Sequence, residues 1–338
     1  MNLREDSLAA QSQTLSLVDQ TLVDGLLAGQ RRSLAKAITL IESTRSDHQQ
    51  RAQLVLNALL PSTGRAIRVG ISGVPGAGKS TFIEALGVWL IDQGKKLAVL
   101  AVDPSSSVSG GSILGDKTRM ELLCQREEAF IRPSPSAGSL GGVAEKSREA
   151  MLLCEAAGFD VIIIETVGVG QSETTVAGMV DIFCLLQLPN AGDDLQAIKK
   201  GIVEIADLVV INKADIDRNA TAVTRAQWRN ALHMLRPASP NWSPPVMAIS
   251  ALHKEGIPEF WAAIEKYRNA LTPTGEFAAK RQHQALSWMW QLIDFGLRQH
   301  FRHHRRVQEN LPALTQSVEQ GHTTPAAAAY ALLDFLKH

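Results

Sequence analysis

The sequence has few cysteines, no excess of either charge and no long apolar run. Only three cysteines occur in 338 residues, without C-x-x-C spacing, so neither a disulfide framework nor a zinc site is expected. Lys plus Arg and Asp plus Glu both number 34, which leaves no net field to attract nucleic acid. No run approaches the length of a membrane span, and the first residues lack an apolar signal-peptide core. We therefore expect a cytoplasmic protein without membrane or nucleic-acid partners.

A glycine-rich loop is the most informative stretch that is present. It follows the apolar run 67–71, precedes the helical pattern 81–91, and matches G-x-x-x-x-G-K-[ST]. Its glycines let backbone N–H groups converge on an anion, and the helix that follows adds its positive dipole end. Nucleotide contacts are therefore predicted from Gly73, Val74, Pro75, Gly76, Ala77, Gly78, Lys79, Ser80 and Thr81. A glycine-rich turn in an ordinary strand–helix unit is the alternative, which the adjacent Lys-Ser pair disfavours.

Strand patterns and helical patterns alternate between residues 63 and 273. Buried strands are predicted at 67–71, 96–102, 129–132, 159–165, 181–188, 207–211 and 246–249. Helices are predicted between them at 81–91, 142–157, 194–205, 220–235 and 258–271. This order predicts an α/β fold of the P-loop NTPase type, a doubly wound, mainly parallel sheet with helices on both faces.

Two helical extensions flank this predicted domain. Apolar residues at helical spacing predict an N-terminal extension over 1–62. A C-terminal extension is predicted over 274–338, with a long helix at 277–301 and two shorter segments broken at Pro312 and at 321–325. Because the long helix has an aromatic face and no partner strands, we expect it to pack on the domain or on another subunit.

The predicted strand at 207–211 leads into Asn212-Lys213-Ala214-Asp215, an N-K-x-D pattern. A carboxylate at Asp215 can accept both guanine N1–H and the exocyclic amine, whereas adenine lacks that pair of donors. Ser250 and Ala251 match the second, backbone-based guanine contact. Together these residues predict a site for GTP or GDP rather than for ATP.

The acidic residue that ends the predicted strand at 159–165 belongs to an E-x-x-G pattern, Glu165-Thr166-Val167-Gly168. Val169 follows the glycine where a water-positioning Gln stands in many GTPases, and the nearest Gln is Gln171. Since positioning and charge stabilisation supply nearly all of phosphoryl-transfer catalysis, slow intrinsic hydrolysis is expected. A partner or a rearranging loop would complete the site.

The glutamate at position 165 resembles the metallochaperone group of P-loop GTPases, in which Glu replaces the usual Asp. Longer signatures resemble the MeaB/ArgK branch of that group: AVDPSSS at 101–107, GGSILGDKTRM at 110–120, ETVGVGQSE at 165–173 and GDDLQAIKKGI at 192–202. The match spans the predicted GTPase domain and extends more loosely into both helical ends.

The resemblance implies further site residues. Asp103, Asp116 and Glu165 would join Ser80 around Mg²⁺, a set of hard oxygen ligands that suits this ion. The same resemblance implies catalytic roles for Lys79, Glu165 and Asp116. A loop-capping function is the alternative for Asp116.

The resemblance also implies a function, that of a GTP-dependent chaperone of methylmalonyl-CoA mutase. Such proteins protect this B12-dependent enzyme and gate adenosylcobalamin loading, typically as homodimers through their C-terminal helices. Residues 189–200 resemble the third switch, where Lys199 or Lys200 would couple nucleotide state to the mutase; a solvated helix face is the alternative for these lysines. Relatives have also been named arginine or ornithine transport system kinases, but no motif for a second acceptor substrate is present.

Two other functions remain to be weighed. A nickel-type metal-insertion GTPase would use His300, His303, His304 and His338, but the neighbouring arginines at 302, 305 and 306 disfavour a bound divalent cation. The same basic run would serve RNA binding, for which interleaved aromatic platforms are lacking.

Overall fold

A seven-stranded sheet forms the centre of the chain. A computed structural model describes residues 14–102, 120–132, 140–166, 172–189, 200–235 and 239–337. The strands are β1 Ile67–Gly73, β2 Leu97–Val102, β3 Ala129–Arg132, β4 Val161–Thr166, β5 Ile182–Gln187, β6 Leu208–Ile211 and β7 Val246–Ala248. Their order is β3-β2-β4-β1-β5-β6-β7, and all neighbouring pairs are parallel. The predicted doubly wound sheet is confirmed.

Helices lie between the strands in the chain, and further helices precede β1 and follow β7. Those before β1 and around the strands are α1 Leu17–Leu27, α2 Arg31–Glu42, α3 Ser46–Leu59, α4 Lys79–Asp92, α5 Glu121–Cys124, α6 Leu140–Ala156, α7 Ser172–Ala177, α8 Lys200–Ile205, α9 Arg218–His233 and α10 Ile257–Leu271. The C-terminal helices are α11 Glu276–His303, α12 Arg305–Glu319 and α13 Pro325–Asp334. Short 3₁₀ turns follow α3, at Leu60–Ser62, and α13, at Phe335–Lys337.

The strands are rich in Val, Ile and Leu because both faces of the sheet are buried. On one face, Phe82 of α4 and Phe260 of α10 meet edge to face, with ring centroids 4.9 Å apart. On the other face Gly70 allows close packing, since a Cβ there would lie 2.9 Å from Val180 Cγ2 and 3.0 Å from Phe183 Cδ2. A hydrophobic core therefore lies on each face of the sheet, between the strands and the helices.

The three N-terminal helices share a core with the second face of the sheet. Leu26, Ile38 and Val55 are buried in the same cluster as Met151 and Leu153 of α6. Glu155 of α6 ties this layer to the start of β1, because it accepts two hydrogen bonds from the Arg68 guanidinium, both 2.9 Å long. Helix α6 is thus held by the extension on one side and by the sheet on the other.

The chain divides into two compact units, Met1–Ala278 and Ala279–His338. In the second unit, Val307 of α12 and Ala328 and Leu332 of α13 are buried. The predicted break at Pro312 is wrong, because α12 runs from Arg305 to Glu319 with Pro312 inside it. The break predicted at 321–325 agrees with the structure, where Gly321 has φ +71°. Across the described ranges, no helix is long and apolar enough to cross a membrane.

Candidate functional site

The glycine-rich loop connects the end of β1 to the start of α4, at the central strand of the sheet. Gly73 has no room for a side chain, since a Cβ would lie 2.3 Å from the carbonyl oxygen of Leu186 in β5. Gly78 has φ +82° and immediately precedes α4, a left-handed conformation that favours glycine. The loop therefore lies close to β5, and α4 begins directly after it, so the loop lies at a helix N-terminus, a location suited to anion binding.

Lys79 and Ser80, the first residues of α4, are half-buried. The Lys79 ammonium donates to the carbonyl oxygens of Gly73 at 2.9 Å and of Val74 at 3.4 Å, so its charge lies over the loop. The Ser80 hydroxyl donates to Glu165 Oε1 at the end of β4, at 3.5 Å. The loop and the acidic residue of the E-x-x-G pattern therefore meet in space.

Asn212 links three segments that are far apart in the sequence. Its side chain is buried, donates from Nδ2 to the carbonyl oxygen of Ala77 at 2.8 Å and accepts at Oδ1 from the amide of Ala251 at 3.1 Å. The neighbouring Lys213 has φ +60°, an uncommon conformation for a residue with a side chain. A Cβ at Gly78 would lie 3.7 Å from Lys213 Cε, so the lysine stem approaches the loop. The N-K-x-D segment is thus joined directly to the phosphate loop.

Asp215 is held as a carboxylate at the edge of this arrangement. A hydrogen bond from the Ser250 hydroxyl lowers the pKa of Asp215 below its usual value, with smaller contributions from nearby cationic groups. His253 Nε2 lies 3.6 Å from Asp215 Oδ2, and its backbone amide donates to Ser250 Oγ at 3.3 Å. Since the Asp215 side chain remains 23% exposed, its carboxylate is accessible to hydrogen-bond donors of a base.

The structure brings together most of the predicted site residues but not all of them. Residues 73–81, Glu165, the 212–215 segment and Ser250–Ala251 lie at the carboxyl ends of β1, β4, β6 and β7, where ligands bind in open α/β sheets. Asp103, Asp116 and Lys199 lie outside the described residues. Among the described residues, no group of three His, Cys, Asp or Glu side chains is arranged to hold a metal ion.

Two contacts in this region were not predicted from the sequence. His253 lies beside Asp215, and the Thr166 hydroxyl donates to Ser72 Oγ at 2.8 Å, beneath the loop. The Thr166 contact depends on the register between β1 and β4. No pattern in the sequence specifies this register. His253 follows Ser250 by only three residues, so its position near the proposed base site could have been predicted from the sequence.

The chain has a parallel sheet with a glycine-rich loop after its central strand, and its N-K-x-D segment is hydrogen-bonded to that loop. These features define a P-loop guanine-nucleotide-binding protein. The family described as "Methylmalonyl Co-A mutase-associated GTPase MeaB" matches residues 34–306. The chain belongs to this family and is a GTPase.

Individual relatives agree with this assignment. The chain is 55% identical to GTPase ArgK of Escherichia coli over 78% of this chain and 80% of that protein. It is 48% identical to the mitochondrial methylmalonic aciduria type A homolog of Mus musculus, over 98% of this chain and 83% of that protein. A crystal structure named LAO/AO transport system kinase is 40% identical and superposes with a TM-score of 0.77, covering 97% of this chain and 100% of that one.

Proposed function

We propose that the chain binds GTP across the phosphate loop and the Asn212–Asp215 segment. In this proposal the loop amides and the Lys79 ammonium hold the phosphates, Asp215 pairs with guanine N1–H and its amine, and Ser250 and Ala251 complete the base site. The observation that carries it is the Asn212 side chain, which joins Ala77 of the loop to Ala251 of the base site. Base and phosphate contacts are therefore held in one fixed relation.

We place Mg²⁺ beside Ser80 and Glu165, with Asp103 and Asp116 completing the ligand set. The fit rests on the convergence of a hydroxyl and a carboxylate oxygen 3.5 Å apart, which are the hard oxygen donors this ion prefers. Bound there, Mg²⁺ would neutralise charge on the β- and γ-phosphate oxygens.

Catalytic roles are proposed for Lys79, Glu165 and Asp116. Lys79 stabilises negative charge on the transferred phosphoryl group, while the two carboxylates act at the metal. Val169 after Gly168 supplies no side-chain amide to orient water. Intrinsic hydrolysis is therefore slow and is accelerated when a partner orders the site.

Two variants test the nucleotide site. Lys79→Ala should weaken GTP binding, and Asp215→Asn should reduce the preference for GTP over ATP, because an amide no longer presents two acceptors. Both are measured by titration with fluorescent guanine and adenine nucleotides. Wild-type affinity in Lys79→Ala, or an unchanged GTP to ATP ratio in Asp215→Asn, would contradict these assignments.

We further propose that the protein is a GTP-dependent chaperone of methylmalonyl-CoA mutase, a B12-dependent enzyme, protecting it and gating its cofactor loading. The family description, which names this mutase, and the methylmalonic aciduria relative support the proposal. In it, the 105–119 loop and residues 189–200, with Lys199 or Lys200, report the nucleotide state to the mutase.

The mutase proposal is tested by mixing the purified chain with methylmalonyl-CoA mutase. Size-exclusion chromatography with light scattering is run with GDP, with a non-hydrolysable GTP analogue and without nucleotide. A complex whose stability depends on the nucleotide is expected, and Lys79→Ala should abolish that dependence while leaving the fold intact. Absence of any complex with every nucleotide would remove the proposal's support, whatever the GTPase activity of the chain.

We also propose a homodimer formed through α11. This 28-residue helix exposes large apolar side chains at helical spacing along one face: Leu286, Met289, Trp290, Ile293 and Leu297. A stripe of this kind buries its surface efficiently against the same stripe of a second copy.

A further inference from the structure

A cavity of about 430 Å³ that is open to solvent lies among α1, α2 and α3, and none of its lining residues belongs to the nucleotide site. Its apolar lining comes from Val18, Leu22 and Leu40, together with three hydroxyl side chains. Its remaining lining residues are Lys36, His48 and Arg51. This volume falls within the range typical of small-molecule sites.

Two lining residues, Lys36 and Arg51, carry positive charge, and the charge of Arg51 is paired with the Asp19 carboxylate outside the lining. No carboxylate lines it, and Lys36 has no ion pair with any residue in the described part of the chain. His48 uses one ring nitrogen, Nδ1, in a contact of 2.8 Å with the Ser43 hydroxyl. The cavity therefore offers hydrogen-bond donors and positive charge beside an apolar wall.

Arg51 is fixed in position by a buried carboxylate outside the lining. Its Nε contacts both oxygens of Asp19 at 3.3 and 3.2 Å, and its Nη2 donates to Oδ1 at 2.8 Å. Ser16 donates to the same carboxylate at 2.7 Å. These bonds leave Nη1 of the guanidinium without a hydrogen bond to the residues that the structure describes. A pre-positioned guanidinium binds a carboxylate with little loss of side-chain entropy.

We propose that this cavity binds a small amphipathic monoanion, with its carboxylate toward Lys36 and Arg51 and its alkyl chain against Val18, Leu22 and Leu40. The charge selects the anionic head, since charge-assisted hydrogen bonds from Lys and Arg are stronger than neutral ones. The apolar wall selects a chain rather than a bare inorganic anion.

Octanoate is the probe, and its binding to the full-length protein is followed by isothermal titration calorimetry. Saturable one-to-one binding is expected, with affinity rising about fourfold for each methylene from butanoate to octanoate. Octylammonium should not bind, because it presents the same chain with the opposite charge. Absence of saturable octanoate binding at millimolar concentrations, equal binding of octylammonium, or no dependence on chain length would each overturn the proposal.

Charge reversal at the cavity provides the second arm of the test. Lys36→Glu should weaken octanoate binding about tenfold or more, because it replaces an attractive contact with a repulsive one. Lys266→Glu on α10, another exposed lysine, is the matched control and should leave the affinity unchanged. GTP affinity and melting temperature should be the same in both variants. An equal effect of the two substitutions on octanoate binding would overturn the assignment of the site.

Discussion

Asn212 and Gly78 show how single residues connect the two halves of the nucleotide site. The Asn212 amide reaches Ala77 across 135 positions of sequence, and a Cβ at Gly78 would lie 2.8 Å from Asn212 Nδ2. Glycine is therefore required at position 78 for two reasons. Its φ of +82° is left-handed, and the neighbouring Asn212 amide leaves no room for a side chain.

Gly78→Ala tests this double requirement. The substitution should weaken guanine-nucleotide binding at least about tenfold, because Asn212 must move away from Ala77, and it should also destabilise the fold by about 1–2 kcal/mol through left-handed strain. Fluorescent GDP titration and chemical denaturation measure the two effects separately.

Gly94→Ala is the matched control for the loop substitution. Gly94 has φ +78° but open space at its Cβ position, so only the strain cost is expected there. If both variants bound GDP like the wild type, the contact between Gly78 and Asn212 would not matter for binding.

The residues of the candidate site could be proposed from the sequence, but their mutual contacts could not. Lys79, Ser80 and Asp215 were located from short patterns, because phosphate and guanine binding require those residue types at that spacing. The Asn212–Ala77 bond depends on the order of β1, β5 and β6 in the sheet, and sequence spacing carries no information on such a long-range contact.

Helix α6 carries an ion pair that is far more buried than those on the surface. The side chains of Arg68 and Glu155 are 12% and 0% exposed, and Glu155 also accepts from the amide of Gly64 at 2.8 Å. Removal of one partner from such a pair leaves an uncompensated buried charge.

Glu155→Gln should therefore destabilise the protein by about 3–5 kcal/mol, measured as the free energy of unfolding in urea. Asp92→Asn is the control, since it breaks the ion pair with Arg126, whose partners are 54% and 37% exposed. Its cost should stay below about 1 kcal/mol. An equal loss of unfolding free energy for the two substitutions would show that burial of the Arg68–Glu155 pair does not increase its contribution to stability.

Two acidic residues beside the N-terminal helices should respond to pH in opposite directions. Burial raises the pKa of Glu149 in α6, whereas hydrogen bonds from Arg51 lower that of Asp19 in α1. A raised native pKa stabilises at low pH and loses this contribution as the pH rises, and a depressed native pKa does the reverse.

The pH dependence of unfolding is compared for wild type, Glu149→Gln and Asp19→Asn. Relative to Glu149→Gln, the wild type should lose stability as the pH rises above the usual glutamate value of 4.5. Relative to Asp19→Asn, it should lose stability as the pH falls below the usual aspartate value of 3.8. Parallel pH profiles for all three proteins would rule out both shifts.

At the scale of elements, the sequence located the strands and most helices. The predicted strand at 181–188 became Ile182–Gln187, and the helix at 81–91 became Lys79–Asp92, since buried strands and amphipathic helices leave clear hydrophobic patterns. Pro312 was misjudged because a proline is a local signal, whereas α12 also depends on packing such as that of the buried Val307. The lateral order of the strands was not predicted, because no strand's own residues specify its neighbours.

The proposed dimer is a property of the whole molecule and is open to a direct test. Trp290→Glu with Leu297→Glu places two charges in the apolar stripe of α11, where the side chains are 61% and 62% exposed in the single chain. We expect monomers at micromolar concentration by light scattering, because burial of unpaired carboxylates costs more than the stripe contributes.

Ile216→Glu is the matched control for dimerisation, since Ile216 is 72% exposed and lies outside the α11 stripe. It should leave the oligomeric state unchanged. A wild-type chain that is already monomeric, or a double variant that remains dimeric, would contradict assembly through α11.

The hydrogen bond from Asn212 to Ala77 also limits how this protein can be re-engineered. In the proposed site, nucleotide specificity cannot be exchanged on its own, because the segment that would recognise the base also supports the loop that would hold the phosphates. Grafting an adenine-specific segment onto this scaffold would remove that support along with the guanine contacts. A successful exchange of the base would therefore have to replace the 73–81 loop and the 212–215 segment together.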